Sequence, residues 1–370
     1  MNNETHLQHP KYRADIDGLR AIAVLLVVGY HAFPGWVGGG FIGVDIFFVI
    51  SGYLISIIIF ENLERGSFSF VQFYERRIKR IFPALLVVLL ACFSFGWFSM
   101  LAEEYQQLGK HIAAGASFVS NLVLWSETGY FDNLAETKPL LHLWSLGIEE
   151  QFYIVWPLIV WVVWAKRMNL FMLFVAGIVA SFALNIYGIN RDATATFYSP
   201  QTRFWELICG SLLAHHTFHR KDVFEKLAAN FGNMLSVAGV VFLGLGIIFT
   251  TRQSAFPGWW SVLPVLGAVM IIAAGTKAWI NRAVLSNRVV VWFGLISFPL
   301  YLWHWPLLSF AWIVESQAPG RGIRLAAVVT SIFLAWLTYR LIERPIRYRV
   351  TSKFTTISLV LLMAITGIVG

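Results

Sequence analysis

The chain has 370 residues, of which 58% are hydrophobic and only 13% are charged. Soluble domains carry about 25% charged residues, so this composition excludes an ordinary soluble protein and indicates that the lipid bilayer is the solvent of the chain. The net charge of +8 would point to nucleic acid in a soluble protein. In a membrane protein positive charge reflects topology, so we expect no nucleic-acid partner.

Apolar runs follow one another along the whole chain, and a membrane-spanning helix needs about 20 such residues. They predict an all-α fold, a polytopic transmembrane helical bundle with about eleven spans, of which the sixth is the shortest. The longest connection is 102–141, and its apolar middle, 111–125, predicts an interfacial or re-entrant helix. The runs are 21–33, 42–60, 81–101, 144–165, 170–189, 203–214, 234–250, 259–275, 289–314, 325–341 and 354–370.

The distribution of charge predicts the orientation of the chain in the membrane. The first twenty residues are polar and no small-residue cleavage site follows, so we expect the first span to be retained rather than removed as a signal peptide. Most of the 28 lysines and arginines fall in the amino-terminal tail and the even-numbered connections. The positive-inside rule then predicts a cytoplasmic amino terminus and, after eleven spans, an outer carboxyl terminus. Residues 1–353 are predicted to hold ten spans, and 354–370 an eleventh that leads to an outer domain.

Two ionisable residues bracket the first run. Arg20 and His31 are eleven residues apart, which places them on one helix face about 16 Å apart along the axis. The short glycine-rich turn 34–40 predicts a tight hairpin, so Asp45 should lie at the depth of His31. A carboxylate fixes the tautomer of a neighbouring imidazole, so we expect His31 to be a general base and Asp45 its orienting partner. The structural alternatives are a snorkelling arginine and a purely structural His–Asp pair.

A cluster of arginines precedes the third run, at 76–80. On a helix Arg76 and Arg80 share a face and Arg77 lies beside them, which makes a cationic mouth suited to phosphates. Ser51 and Gly52 form a small-residue notch that permits close approach by a ligand or a helix. Topogenic charge and helix packing are the alternatives. The predicted cofactor-binding residues are Arg20, Arg76, Arg77, Arg80, Ser51 and Gly52.

Polar side chains also form a stripe on the fourth run. His142, Ser145, Glu149 and Tyr153 lie at offsets of three, seven and eleven, and therefore on one helix face. Contact with lipid does not explain such a stripe. We expect it to line the same cavity as His31, with Glu149 pointing into the bundle as a catalytic carboxylate and the other three binding the acceptor or the acyl group.

Three further polar positions interrupt apolar runs. Arg203 and Glu206 are three residues apart and can pair within the sixth span, either as a structural ion pair or as substrate-binding residues. His304 in the ninth run is interpreted as a helix-packing residue, with a direct catalytic role as the alternative.

Taken together, these segments resemble the acyltransferase-3 family of membrane-bound glycan O-acyltransferases. The resemblance implies acetyl-CoA as co-substrate, no metal, and a glycan acceptor such as lipopolysaccharide O-antigen or peptidoglycan, in a bacterial inner membrane among its lipids. Members of the O-antigen acetylase type often carry an SGNH-type outer domain after the eleventh span, and we expect this domain to be missing from this chain. The motifs are DGLR at 17–20 with His31, GVDIFFVISG at 43–52, the arginines at 76–80, WSLGIEEQFY at 144–153, RFWE at 203–206 and YLWHWP at 301–306.

The main alternative is a proton-coupled transporter, because such carriers also place histidine, carboxylate and arginine side chains inside the membrane. A non-catalytic envelope scaffold is a second alternative, but it does not explain polar stripes on several helices. Labelled acetyl-CoA distinguishes the classes: an enzyme transfers the acetyl group or releases CoA, and a carrier moves its substrate without either.

Overall fold

A computed structural model describes residues 12–128, 134–348 and 353–370. Within these ranges the regular structure is helical and contains no strand, which confirms the all-α prediction. The polar tail 1–11 and the boundary at 349–352 between the predicted tenth and eleventh spans lie outside the described residues. The helices are α1 Ala14–Ala32, α2 Gly43–Glu64, α3 Phe70–Ser99, α4 Ala102–Ala116, α5 Ser120–Glu127, α6 Leu143–Ala165, α7 Leu170–Ile189, α8 Ala193–Tyr198, α9 Pro200–His219, α10 Lys221–Phe249, α11 Val262–Ala274, α12 Arg288–Leu295, α13 Ser297–Glu315, α14 Arg321–Thr338, α15 Arg344–Tyr348 and α16 Lys353–Val369.

Six helical stretches are long and apolar enough to cross a membrane, and the pair α12 and α13, bent by 66°, would be a seventh span. The predicted count of eleven stays a prediction. Some predicted spans fall short in length, as α11 and α16 do, and α1 carries Asp15, Asp17 and Arg20 within its 19 residues. The six stretches are Gly40–Glu64, Phe70–Ser99, Leu143–Ala165, Leu170–Ile189, Lys221–Phe249 and Arg321–Tyr348.

Helix α2 lies at the centre of the bundle, where it packs against α1, α6, α9 and α11. Its closest neighbour is α9, and glycines make the approach possible. A Cβ at Gly52 would overlap with the carbonyl oxygen of Leu207, and one at Gly210 with that of Val49. The predicted small-residue notch is therefore used in part for helix packing. Gly52 faces α9 and does not line the cavity that Ser51 lines, and its role in cofactor binding stays a prediction.

The long connection after α3 folds into two helices, α4 and α5, rather than the single apolar helix predicted at 111–125. The chain turns at Phe118, whose φ is +57°, and polar contacts hold the two helices together. Lys110 and His111 each lie 2.8 Å from the carboxylate of Glu127. Burial alone would raise the pKa of Glu127, but these hydrogen bonds outweigh it and lower the pKa to about 2.

Candidate active site

Two neighbouring cavities inside the bundle hold most of the predicted site residues. We call the first the arginine cavity; it is narrow, about 70 Å³. The second, the histidine cavity, measures about 330 Å³. The polar residues that line the arginine cavity are Arg20, Ser51, Arg77, Arg80, Ser145, Glu149, Glu150, Tyr153, Ser297 and Tyr301. Those that line the histidine cavity are Tyr30, His31, Asp45, His142, Tyr198, Arg203, Thr251, Arg252, Ser254 and Tyr301, with the indoles of Trp144 and Trp305.

A carboxylate lies beside the arginines of the arginine cavity. Glu149 accepts hydrogen bonds from the hydroxyl of Ser51 on α2 and from the hydroxyl of Tyr153, one turn further along α6. The guanidinium carbon of Arg77 lies 5.8 Å from the centre of the Tyr153 ring. Glu149 therefore points into the bundle, and its negative charge faces the cationic side chains that line the same cavity.

Of the three arginines predicted at 76–80, two line the cavity. Arg77 and Arg80 are three residues apart on α3 and share the face that meets the cavity. Arg76 does not line it, and its guanidinium instead lies 3.5 Å from the amide oxygen of Gln72. Arg76 therefore lies outside this cavity, and its role in cofactor binding stays a prediction.

The partner of His31 differs from the predicted one. Its Nδ1 lies 2.9 Å from Nε2 of His304 on α13. The predicted bond between His31 and Asp45 is not formed, although both side chains line the histidine cavity. Asp45 instead pairs with Arg203 of α9, whose Nη2 lies 3.1 Å from Oδ1 of the carboxylate. A guanidinium is the stronger competitor, because a buried carboxylate needs a counter-charge that a neutral imidazole cannot supply.

Arg203 is the centre of a buried ion-pair cluster. Besides Asp45, it contacts Glu206, with 3.2 Å between Nε and Oε1, and all three side chains are fully buried. The rings of Phe48, Trp144, Phe197 and Phe256 surround the guanidinium at 5.4 to 5.9 Å. Glu206 lines neither cavity. The cluster therefore links α2 to α9. Arg203 also lines the histidine cavity, and the substrate-binding roles of Arg203 and Glu206 stay predictions.

The predicted stripe on α6 is divided between the two cavities. His142 lines the histidine cavity, whereas Ser145, Glu149 and Tyr153 line the arginine cavity, so only His142 shares a cavity with His31. The side chain of Tyr301 lines both and lies between them. Its hydroxyl donates to the carbonyl oxygen of His142 at 2.8 Å and lies 2.5 Å from Oγ of Ser145. The stripe extends about 16 Å along the helix axis, far enough to reach from one cavity to the other. The side chain of Tyr301 on α13 separates the two cavities.

A third cavity, the outer cavity, adjoins the histidine cavity and measures about 490 Å³. His31, Tyr30, Arg252 and Trp305 line both. The outer cavity is therefore an approach to His31 from the end of the bundle opposite Arg20. Its other lining residues include Glu136, Ser309, Trp312 and Arg324.

Tyr301 and His304 are among the residues at this site that were not predicted as site residues, although both lie in the YLWHWP motif at 301–306. They lie three residues apart in an otherwise apolar run, so they share a helix face, and a periodic pair of polar side chains was the available signal. Both are buried, and both rings contact the ring of His142, with centroids 5.3 and 5.7 Å away. Three imidazoles, those of His31, His142 and His304, therefore meet at one point in the bundle.

Comparison with known proteins identifies the family. A family model described as an acyltransferase domain, Acyl_transf_3, matches residues 13–340. The chain is 34% identical over 353 residues to the peptidoglycan O-acetyltransferase OatA of Listeria monocytogenes, which covers 91% of this chain and 56% of that protein. It is 30% identical over 382 residues to the O-acetyltransferase OatA of Staphylococcus aureus, with 97% and 63% covered. No solved structure matches the chain.

The chain spans less than two thirds of the length of these relatives. The matched region runs from the residue before α1 to the turn after α14, and so includes every helix that contributes a side chain to the two cavities. Because the family model covers most of the sequence, the chain belongs to the acyltransferase-3 family, as its ordered motifs predicted.

Proposed function

We propose that this protein is a membrane O-acetyltransferase that moves an acetyl group from cytoplasmic acetyl-CoA to a hydroxyl of an envelope glycan. The observation that carries the proposal is the meeting of two different cavities at Tyr301 and Val44, which line both. One cavity is lined by arginines and the other by His31. A cationic cavity suits a phosphorylated donor, and an imidazole suits removal of a proton from an acceptor hydroxyl.

The donor would bind at the arginine cavity. Arg20, Arg77 and Arg80 present guanidinium groups from two helices, and guanidinium forms strong paired hydrogen bonds with phosphate. The CoA phosphates would stay at this mouth, and the narrow cavity would hold the extended thiol arm that leads toward Tyr301. The positive-inside distribution supports a cytoplasmic position for this end.

The acceptor would enter through the outer cavity, which leads to His31 from the opposite end. Trp305 and Trp312 offer flat apolar faces for a sugar ring, and Ser309 offers a hydroxyl for its polar edge. One relative is named a peptidoglycan O-acetyltransferase, which favours peptidoglycan over lipopolysaccharide O-antigen as the acceptor class.

In the proposed reaction, the acceptor oxygen attacks the acetyl carbonyl carbon, His31 takes the hydroxyl proton, and the bond from carbon to the CoA sulfur breaks. The proton then passes to the departing thiolate. The narrow arginine cavity, about 70 Å³, would limit the access of water to the thioester, which water would otherwise hydrolyse.

The location that fits this scheme is a bacterial inner membrane, with the amino terminus in the cytoplasm and the carboxyl terminus in the periplasm. Exposed apolar side chains on α7, α10 and α14 supply surfaces for membrane lipids. An SGNH-type outer domain, which the family resemblance implies, is the proposed partner for delivery to the final sugar.

The test is acetyl transfer by the purified protein in lipid nanodiscs with labelled acetyl-CoA and peptidoglycan fragments. His31→Ala should lower the transfer rate by about 10²- to 10⁴-fold, the usual contribution of a general base. His216→Ala is the matched control, because His216 is exposed on α9 away from both cavities. A well-folded His31→Ala protein with normal transfer would refute the assignment, and substrate movement without CoA release would instead support a transporter.

A further inference from the structure

We propose that His304 is a positioning residue that holds His31 in the tautomer whose Nε2 carries the free lone pair. The orientation of His31 was expected to come from a carboxylate, and the structure offers an imidazole instead. The catalytic consequence rests on the proposed function, in which His31 is the base. The tautomer itself follows from hydrogen bonds alone and can be measured without any reaction.

The backbone of α13 fixes the tautomer of His304. Nδ1 of His304 lies 2.7 Å from the carbonyl oxygen of Tyr301 and 3.3 Å from that of Leu300. A carbonyl oxygen can only accept a hydrogen bond, so Nδ1 of His304 must carry a hydrogen. A neutral imidazole has one N–H group, and Nε2 of His304 is therefore an acceptor.

The same logic then applies to His31. Its Nδ1 lies 2.9 Å from the acceptor Nε2 of His304, so Nδ1 of His31 must donate. The single hydrogen of neutral His31 is thereby placed on Nδ1, and Nε2 keeps its lone pair. Since His31 lines both the histidine and the outer cavity, that lone pair is available to a hydroxyl that enters from either.

The packing of the two rings supports a directed bond. Their centroids are 5.2 Å apart with an interplanar angle of 18°. The distance from Nδ1 of His31 to Nε2 of His304 is much shorter than the separation of the centroids. The rings therefore meet edge to edge in nearly one plane, and this geometry points a lone pair at an N–H group. His304 is fully buried, and the Trp305 ring lies 4.5 Å from the ring of His31. Both imidazoles are therefore held against rotation.

The other polar groups around His31 do not compete for Nδ1. Asp45 is paired with Arg203, and Arg252 donates to the hydroxyl of Tyr30. Neither nitrogen of His142 is hydrogen-bonded. In the part of the chain that the structure describes, no carboxylate is hydrogen-bonded to His31. The orienting role therefore falls to His304.

This arrangement has a chemical consequence. When the acceptor O–H bond breaks, an N–H bond forms at Nε2 of His31, and the positive charge is shared through the hydrogen bond with His304. The proton then leaves Nε2 for the thiolate of the departing CoA, which restores the starting tautomer. The orienting partner of His31 is thus an imidazole rather than the carboxylate of the Ser-His-Asp arrangement.

The first test compares two replacements of His304. His304→Gln keeps an oxygen that can accept from Nδ1 of His31, and His304→Leu does not. We expect His304→Leu to lower kcat by about 10²- to 10⁴-fold with little change in KM for acetyl-CoA, and His304→Gln to recover most of that loss. A folded His304→Leu protein with normal kcat, or equal losses in both variants, would overturn the proposal.

The second test measures the tautomer directly and does not depend on activity. Histidine labelled with a nitrogen isotope is incorporated, and nitrogen NMR is recorded in nanodiscs, with His31 assigned by comparison with His31→Ala. We expect Nε2 of His31 to be unprotonated in the native protein and to gain hydrogen in His304→Leu. A native protein with hydrogen on Nε2 contradicts the proposal even if His304→Leu does not fold. The correct tautomer without acetyl transfer would instead refute the proposed function.

Discussion

Replacing Arg203 with methionine removes the only cation from a cluster that holds two carboxylates. Asp45 and Glu206 lie 3.1 and 3.2 Å from the guanidinium, and all three side chains are fully buried. Methionine is of similar length and leaves the surrounding aromatic rings in contact with an apolar side chain. The substitution therefore tests charge more than volume.

The expected loss of stability follows from this burial. Removing one partner of a buried ion pair costs about 3–5 kcal/mol, because an uncompensated charge stays in a medium of low dielectric constant. Here Asp45 and Glu206 both lose the guanidinium, so we expect the cost of Arg203→Met to fall within that range. Arg203→Lys should cost less, since it keeps the charge but loses the forked geometry.

The measurement is the free energy of unfolding in mixed micelles, from titration with a denaturing detergent and the change in helical circular dichroism. The matched control is the triple variant Arg203→Met, Asp45→Asn and Glu206→Gln. It replaces both unpaired carboxylates with neutral amides and should recover much of the lost free energy of unfolding. An Arg203→Met protein within about 0.5 kcal/mol of the native one, the usual range for surface substitutions, would refute the reasoning.

Three further substitutions test the cavities and the helix packing. Arg77→Gln should weaken acetyl-CoA binding by about tenfold or more, since a hydrogen bond to a charged group contributes about 1.5–3 kcal/mol. Calorimetry should show little change in this affinity for the control Arg76→Gln. Equal losses of affinity in the two variants would contradict the assignment of Arg77, rather than Arg76, to the cavity. Tyr301→Phe should open the partition between the two cavities, so that water reaches the thioester and the rate of CoA release without acceptor rises. An unchanged rate of CoA release would argue against a closed partition. Gly52→Ala should lower the free energy of unfolding by about 1–3 kcal/mol, because the added methyl group overpacks against the facing backbone of α9. Gly244→Ala should be tolerated, because the space around Gly244 is open. Equal stability of the two variants would contradict the close approach of α2 and α9.

The distribution of apolar residues predicted an all-α membrane protein, and helical periodicity predicted which polar side chains share a face. His31 and Arg20 on α1, and Arg77 and Arg80 on α3, follow from spacing, because the rotation per residue is a local property of the helix. An ionisable side chain in an apolar segment has a high free-energy cost, and this cost indicated Asp45, Glu149 and Arg203 as candidate functional residues. The family followed from the order of these motifs.

The tertiary structure decided which of these side chains meet. Gly52 sets the approach of α9 to α2, and that approach brings Arg203 to Asp45 and removes the carboxylate from His31. The path of α13 brings His304 to His31 and inserts Tyr301 between two cavities. Periodicity fixes a direction around one helix axis, whereas a hydrogen bond depends on the relative rotation and depth of two helices. That arrangement depends on the packing of backbones distant in the sequence, so it could not be predicted from the spacing of residues along any one helix.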